Sequence, residues 1–133
     1  MRTRLATVGA AALAVLALCA SAGAESQCQY ISLDASSGDG SVSGHAQLVV
    51  TRDHGGYRVR GTVTSYGGCV KLKGVEMHLG VYFGGDPMGY VCGQGRHVDV
   101  NTYTGHSDVV LTAVINYGPD FDSRIVALTG TGG

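Results

Sequence analysis

Residues 42–64 read Val42-Ser43-Gly44-His45-Ala46-Gln47-Leu48-Val49-Val50-Thr51-Arg52-Asp53-His54-Gly55-Gly56-Tyr57-Arg58-Val59-Arg60-Gly61-Thr62-Val63-Thr64. Val42, Ala46, Leu48 and Val50 alternate with Ser43, His45, Gln47 and Thr51. Beyond Asp53-His54-Gly55-Gly56, Tyr57, Val59 and Val63 alternate with Arg58, Arg60, Thr62 and Thr64. Successive side chains of a strand point to opposite faces, so a period of two marks one dry face and one wet face. Two such runs around a Gly-containing tetrapeptide predict a β-hairpin.

The same reading extends downstream. From Cys69, Val70 and Leu72 keep one parity, then Val75, Met77, Leu79, Val81 and Phe83 keep the other. A one-residue slip would turn every side chain to the wrong face, so a bulge or bend is expected at Gly74. Gly84-Gly85-Asp86-Pro87 carries turn chemistry and is expected to close that strand. Short strands follow around Tyr90–Cys92 and Val98–Val100. Asp108–Tyr117 is apolar on both parities, as expected of a strand buried on both sides. Gly118-Pro119-Asp120 then reads as a turn before a last strand, Arg124–Thr129. No segment sustains a helical period. Seven or eight short strands in about a hundred residues predict an all-β fold, a small two-sheet antiparallel sandwich of immunoglobulin-like layout; a small barrel is the alternative. The chain has no Trp, so the comparison with immunoglobulin domains covers architecture alone.

The N-terminus has its own signature. Arg2 and Arg4 precede an apolar run from Leu5 to Ala20, followed by Ala22-Gly23-Ala24. A basic start, an apolar centre and small residues at the cleavage positions predict a secretory signal peptide over residues 1–24. The run is short for a membrane span, and Leu18 before Cys19 argues against lipidation. The expected organisation is therefore leader 1–24, N-terminal arm 25–41 and sandwich 42–133. Without Arg2 and Arg4, seven basic residues face ten acidic ones, a formal charge of −3, with no like-charged block. That excludes the electrostatic footprint of a nucleic-acid binder, and no basic amphipathic helix offers membrane binding after leader cleavage.

Cys28, Cys69 and Cys92 follow the leader. In an oxidising compartment pairing is expected, and three cysteines leave one over. Cys69–Cys92 is the favoured disulfide, with Cys28–Cys92 and Cys28–Cys69 as alternatives. The lengths assigned to the flanking strands do not allow Cys69 and Cys92 to lie directly opposite across one hairpin. Cys28 is then a free or intermolecular thiol near a mobile terminus, available to a covalent partner.

Candidate chemistry is sparse. Glu76/His78, His97/Asp99 and His106/Asp108 each place a His two residues from an acid, on one face of a strand. That spacing suits a metal-ligand pair or a carboxylate-oriented His. These residues also occupy the solvent parity, where polar side chains are required anyway, so no metal is assigned. Asp120 and Asp122 are ordinary loop carboxylates, too few for calcium. No nucleophile elbow, zinc-protease motif or phosphate-binding loop occurs, and neither catalytic residues nor a cofactor are assigned. Tyr66, Tyr82 and Tyr103 share the polar parity of their strands, as do Arg58 and Arg60. Exposed Tyr and Arg are favoured at interfaces, because they bury much area and hydrogen-bond at the rim. Arg58, Arg60, Tyr66 and Tyr82 are the candidate binding residues.

The expected function is a secreted, non-enzymatic binding or adaptor module for another extracellular protein. A small hydrolase or metal-dependent enzyme using the His/acid pairs is the alternative. Further alternatives are an inhibitor displaying Gly84–Gly89, a structural component of the cell envelope, and an adaptor subunit of a secreted toxin complex.

Overall fold

The computed structural model describes residues 28–79, 81–115, 121–122 and 126–129. The expected leader, the first residues of the arm, Asp120 and the side chains of His78 and Tyr82 lie outside the described residues. The strands are β1 (Cys28–Ser36), β2 (Ser43–Asp53), β3 (Gly56–Gly67), β4 (Cys69–His78), β5 (Val81–Cys92), β6 (Arg96–Thr104), β7 (Asp108–Val114), β8 (Phe121–Asp122) and β9 (Val126–Ala127). They form two antiparallel sheets. The first runs β1-β2-β3-β6; the second runs β5-β4-β7-β8, with β9 also on β7.

The β2–β3 hairpin closes on Asp53↔Gly56, leaving His54 and Gly55 as a two-residue turn. Both have positive φ, 48° and 85°. That handedness matches the twist of the flanking strands. The β1–β2 connection is instead organised by Asp39. Its Oδ1 accepts from the Ser41 amide (2.9 Å), the Ser41 hydroxyl (2.7 Å) and the Ser37 hydroxyl (2.8 Å). Those donors, the Ser41 amide first, lower its pKa from 3.8 to about 2. A depressed carboxylate stabilises the fold above its unfolded pKa and ceases to do so as pH falls through its folded value. We therefore expect the Ser41 amide to lose hydrogen-exchange protection as pH falls from 4 towards about 2. Asp39→Ala should abolish that dependence.

The inward parities of the two sheets meet in one core. Ile31, Leu33, Ala46, Leu48, Val50, Val59, Val63 and Val100 face Val70, Leu72, Met88, Val91, Val109, Leu111 and Ala113. Burying each large aliphatic side chain stabilises by roughly 1.5–3 kcal/mol. In β7, Val110 and Thr112 are fully buried as well as Val109, Leu111 and Ala113, so this strand is dry on both faces, as its sequence implies.

The chain crosses between the sheets from β3 to β4, from β5 to β6 and from β6 to β7, and the first two crossings lie side by side. The Gly68 carbonyl accepts from the Gly93 amide (2.9 Å) and the Ser65 hydroxyl (2.9 Å), and the Gly95 amide donates to the Ser65 carbonyl (2.8 Å). Gly68, Gly93 and Gly95 have φ of 67°, 103° and 75°, so these tight crossings use backbone conformations that favour glycine. The Cys69–Cys92 disulfide sits beside them.

Four expectations change. Cys69 and Cys92 are directly opposed partners, with Cα atoms 4.0 Å apart. The turn lies at Leu79, beyond His78, and Gly84-Gly85-Asp86-Pro87 runs inside β5. The extra residues of β5 are absorbed by register shifts at Leu72/Lys73 and Gly74/Glu76, which bracket the expected bulge at Gly74. Because β5 is an edge strand, the missing N–H of Pro87 breaks no ladder that the sheet needs. Gly84–Gly89 is accordingly strand and not a displayed inhibitory loop. The arm 25–41 contains β1, whose Ile31, Leu33 and Ala35 are core residues. Finally, Cys28 lies buried beside Val49 in that strand and is disulfide-bonded, and no described cysteine is free. A strand position in a paired sheet replaces the mobile terminus that the thiol reading assumed.

Candidate binding face

The outer parity of the first sheet brings the candidate residues together. Register sets Thr51, Arg58 and Tyr103 in one cross-strand row, and Tyr30, Val49, Arg60 and Asn101 in the next. Ser32, Gln47, Thr62 and Asp99 form a third row; Asp34, His45, Thr64 and His97 form a fourth. Tyr66 follows Thr64 on the same parity of β3. Tyr30, Tyr66 and Tyr103 are 50%, 54% and 44% exposed, large values for aromatic side chains. Arg60 is exposed, near the middle of this face, and has no ion-pair or hydrogen-bond partner among the described residues.

The surroundings of this face are ordered. Arg58 Nε lies 3.6 Å from Asp53 Oδ2. Asp53 is held below the usual carboxylate range, chiefly by its hydrogen bond with His54, although desolvation opposes this. Tyr103 lies over Gly56: a Cβ there would run into the phenol and come within 2.6 Å of the Thr104 carbonyl oxygen. A glycine at this position lets the ring settle against the hairpin beside Arg58. At the far end, His45 Nδ1 meets Asp34 Oδ1 at 2.8 Å. Val49 and Cys28 are buried together on this otherwise polar face.

Arg58, Arg60 and Tyr66 thus share one face, while the side chain of Tyr82 lies outside the described residues. Tyr30 was hidden from the sequence reading because residues 25–41 read as an arm. The alternation Tyr30-Ser32-Asp34-Ser36 against Ile31-Leu33-Ala35 was the available signal. Asn101 alternates with Val98 and Val100 on the polar parity of its strand, but only strand pairing places it beside Arg60.

Of the His/acid pairs, the His78 side chain lies outside the described residues, and His97/Asp99 stands apart from the other two. His97 and Asp99 are exposed on the outer face of β6. His106, in the β6–β7 connection, meets residues of other elements. Its Nε2 lies 3.2 Å from Asp86 Oδ2, and its Nδ1 lies 3.5 Å from Glu76 Oε1. The two carboxylates flank opposite edges of the imidazole, so one ion cannot be held by all three groups. No cluster of three or more His, Cys, Asp or Glu side chains with metal-binding geometry occurs among the described residues. Asp108 accepts instead from the Ser107 hydroxyl at 2.6 Å.

Comparison with family models, curated proteins and solved structures gives no match to this chain.

Proposed function

We propose that the protein is a secreted, non-enzymatic binding or adaptor module that recognises another extracellular protein through the outer face of its four-stranded sheet. The observation that carries this reading is the register that gathers Arg58, Arg60, Tyr30, Tyr66 and Tyr103 on one exposed face. Tyr and Arg are the residue types that dominate interface energetics. The disulfide suits an oxidising compartment, and residues 1–24 supply an export signal in sequence. An immunoglobulin-like layout supports the reading further. The pairs β3–β6 and β4–β7 join non-consecutive strands within each of two facing sheets, the wiring typical of such sandwiches.

The test is affinity capture from culture supernatant with the wild-type protein and an Arg60→Ala/Tyr103→Ala variant. Arg60 is exposed, so its loss should change stability by no more than about 0.5 kcal/mol, whereas Tyr103 packs over Gly56 and its truncation should cost about 1 kcal/mol; circular dichroism checks that the variant is folded. Loss of a central hot spot worth about 2 kcal/mol should lower affinity for the captured protein roughly thirtyfold. Equal capture by the two proteins would remove the face from consideration.

A further inference from the structure

The first sheet ends in β1 on one side and β6 on the other; the second ends in β5 and the short β8 and β9. Natural sheet edges are usually blunted by proline, bulges, shortness or a covering segment, because unpaired backbone groups template pairing with another chain. β5 carries Pro87 and two register shifts. β1 is engaged near its start: the Gln29 carboxamide donates to the Ala127 carbonyl and accepts from the Thr129 amide, both at 2.8 Å. β6 differs. It runs nine residues without proline, glycine or a register shift against β3. Apart from the Arg96 amide, which donates to the Gly93 carbonyl, and the Tyr103 carbonyl, which accepts from the Thr102 hydroxyl of the same strand, its backbone makes no hydrogen bond beyond β3 among the described residues. β5 approaches it from below, where Gly89 lies under Val98 and Val100, and forms no ladder with it.

We infer that β6 is a pairing edge for β6 of a second copy of this chain, antiparallel, with Val100 facing Val100 across a two-fold axis. The axis stands perpendicular to the sheet, so outward residues meet outward residues and only even registers are possible. The register centred on Val100 overlaps the whole strand. It sets Asp99 against the second copy's Asn101, His97 against its Tyr103 and Arg96 against its Thr104, with no like charges opposed. Sliding to the register centred on Asp99 places two carboxylates face to face, which is destabilising. The centred register also sets the second copy's Asp99 beyond Asn101 in the row of Arg60. Neither Asp99 nor Arg60 has an ion-pair partner among the described residues. This inference stands apart from the proposed binding face, because the edge can pair whether or not the face binds a protein.

Sedimentation equilibrium of the full chain over a concentration series tests it, using wild type, Asn101→Asp and Asn101→Asp/Asp99→Lys. The wild type should show a reversible monomer–dimer equilibrium. Asn101→Asp opposes carboxylates twice per dimer and should weaken association about fivefold. Adding Asp99→Lys converts both contacts to attractive pairs and should restore association to wild-type strength or above. Both positions are exposed, and circular dichroism checks that each variant is folded. A wild type that stays monomeric at every concentration overturns the inference. So does a dimer that neither change alters, or a double variant as weak as the single one.

Discussion

Gly61→Ala should be among the most damaging single substitutions in this protein, lowering stability by about 3 kcal/mol or more. Gly61 sits in the middle of β3, between Leu48 of β2 and Val100 of β6. Its φ is 152°, a region that side chains rarely adopt, and a Cβ there would overlap the Gln47 carbonyl and lie 2.9 Å from the Leu48 Cα. The obstacle is backbone of the neighbouring central strand, which cannot swing aside as a flexible side chain would. The strained backbone alone costs about 1–3 kcal/mol, and separating β2 from β3 adds to it. Against the roughly 5–15 kcal/mol by which a domain is stable, that is a large fraction. Gly40→Ala is the control. Gly40 also has positive φ, 77°, but nothing lies within 4 Å of its added Cβ. It should cost only about 1–2 kcal/mol, the penalty for a left-handed residue. Urea unfolding of the two variants separates a clash from a conformational cost. Similar losses at both positions would contradict the packing described for Gly61.

Removing the Cys69–Cys92 disulfide should have a comparable effect. The two cysteines are 23 residues apart, and closing a loop of that length stabilises by about 3 kcal/mol in the chain-entropy model. For a domain of this size the loss corresponds to a fall in Tm of roughly 10–20 °C. The location adds a local consequence. The bond adjoins the crossings of β3 to β4 and β5 to β6, so its loss should first release the Gly93 and Gly95 amides from their carbonyl partners. Thermal unfolding and hydrogen exchange of Cys69→Ala/Cys92→Ala, with and without reductant, check both effects. On reduction the wild type should fall at least as far as the variant; because Cys28 is also disulfide-bonded, the variant keeps a reducible bond of its own. A Tm change of only a degree or two would show that the crossings are held by their hydrogen bonds and packing alone.

What could be read from sequence follows from where period two is unbroken. The β2–β3 hairpin was legible because both strands alternate cleanly up to a turn rich in Gly. The doubly buried β7 was legible because its apolar residues fill both parities. β5 was not, since its bulges, Gly84, Gly85 and Pro87 imitate a turn, and an edge strand tolerates all of them. β1 was obscured by its serines and by the polar, Gly-rich stretch after it, which suggest loop. Pairing of β3 with β6 and of β4 with β7 lies beyond any local pattern, because more than thirty residues separate the paired positions. The binding face was half visible for the same reason: parity aligned Arg58, Arg60 and Tyr66 within one strand, while only strand order could add Tyr30, Asn101 and Tyr103.

That strand order underlies the core, the candidate face and the free edge alike, and interstrand NOEs on the isotopically labelled protein test it most directly. The account predicts NOEs linking Val63 with Val98 and Arg58 with Tyr103, together with Leu72 and Leu111 in the second sheet. A meander in which β3 instead shows ladder NOEs to β4, with β6 paired elsewhere, would contradict it.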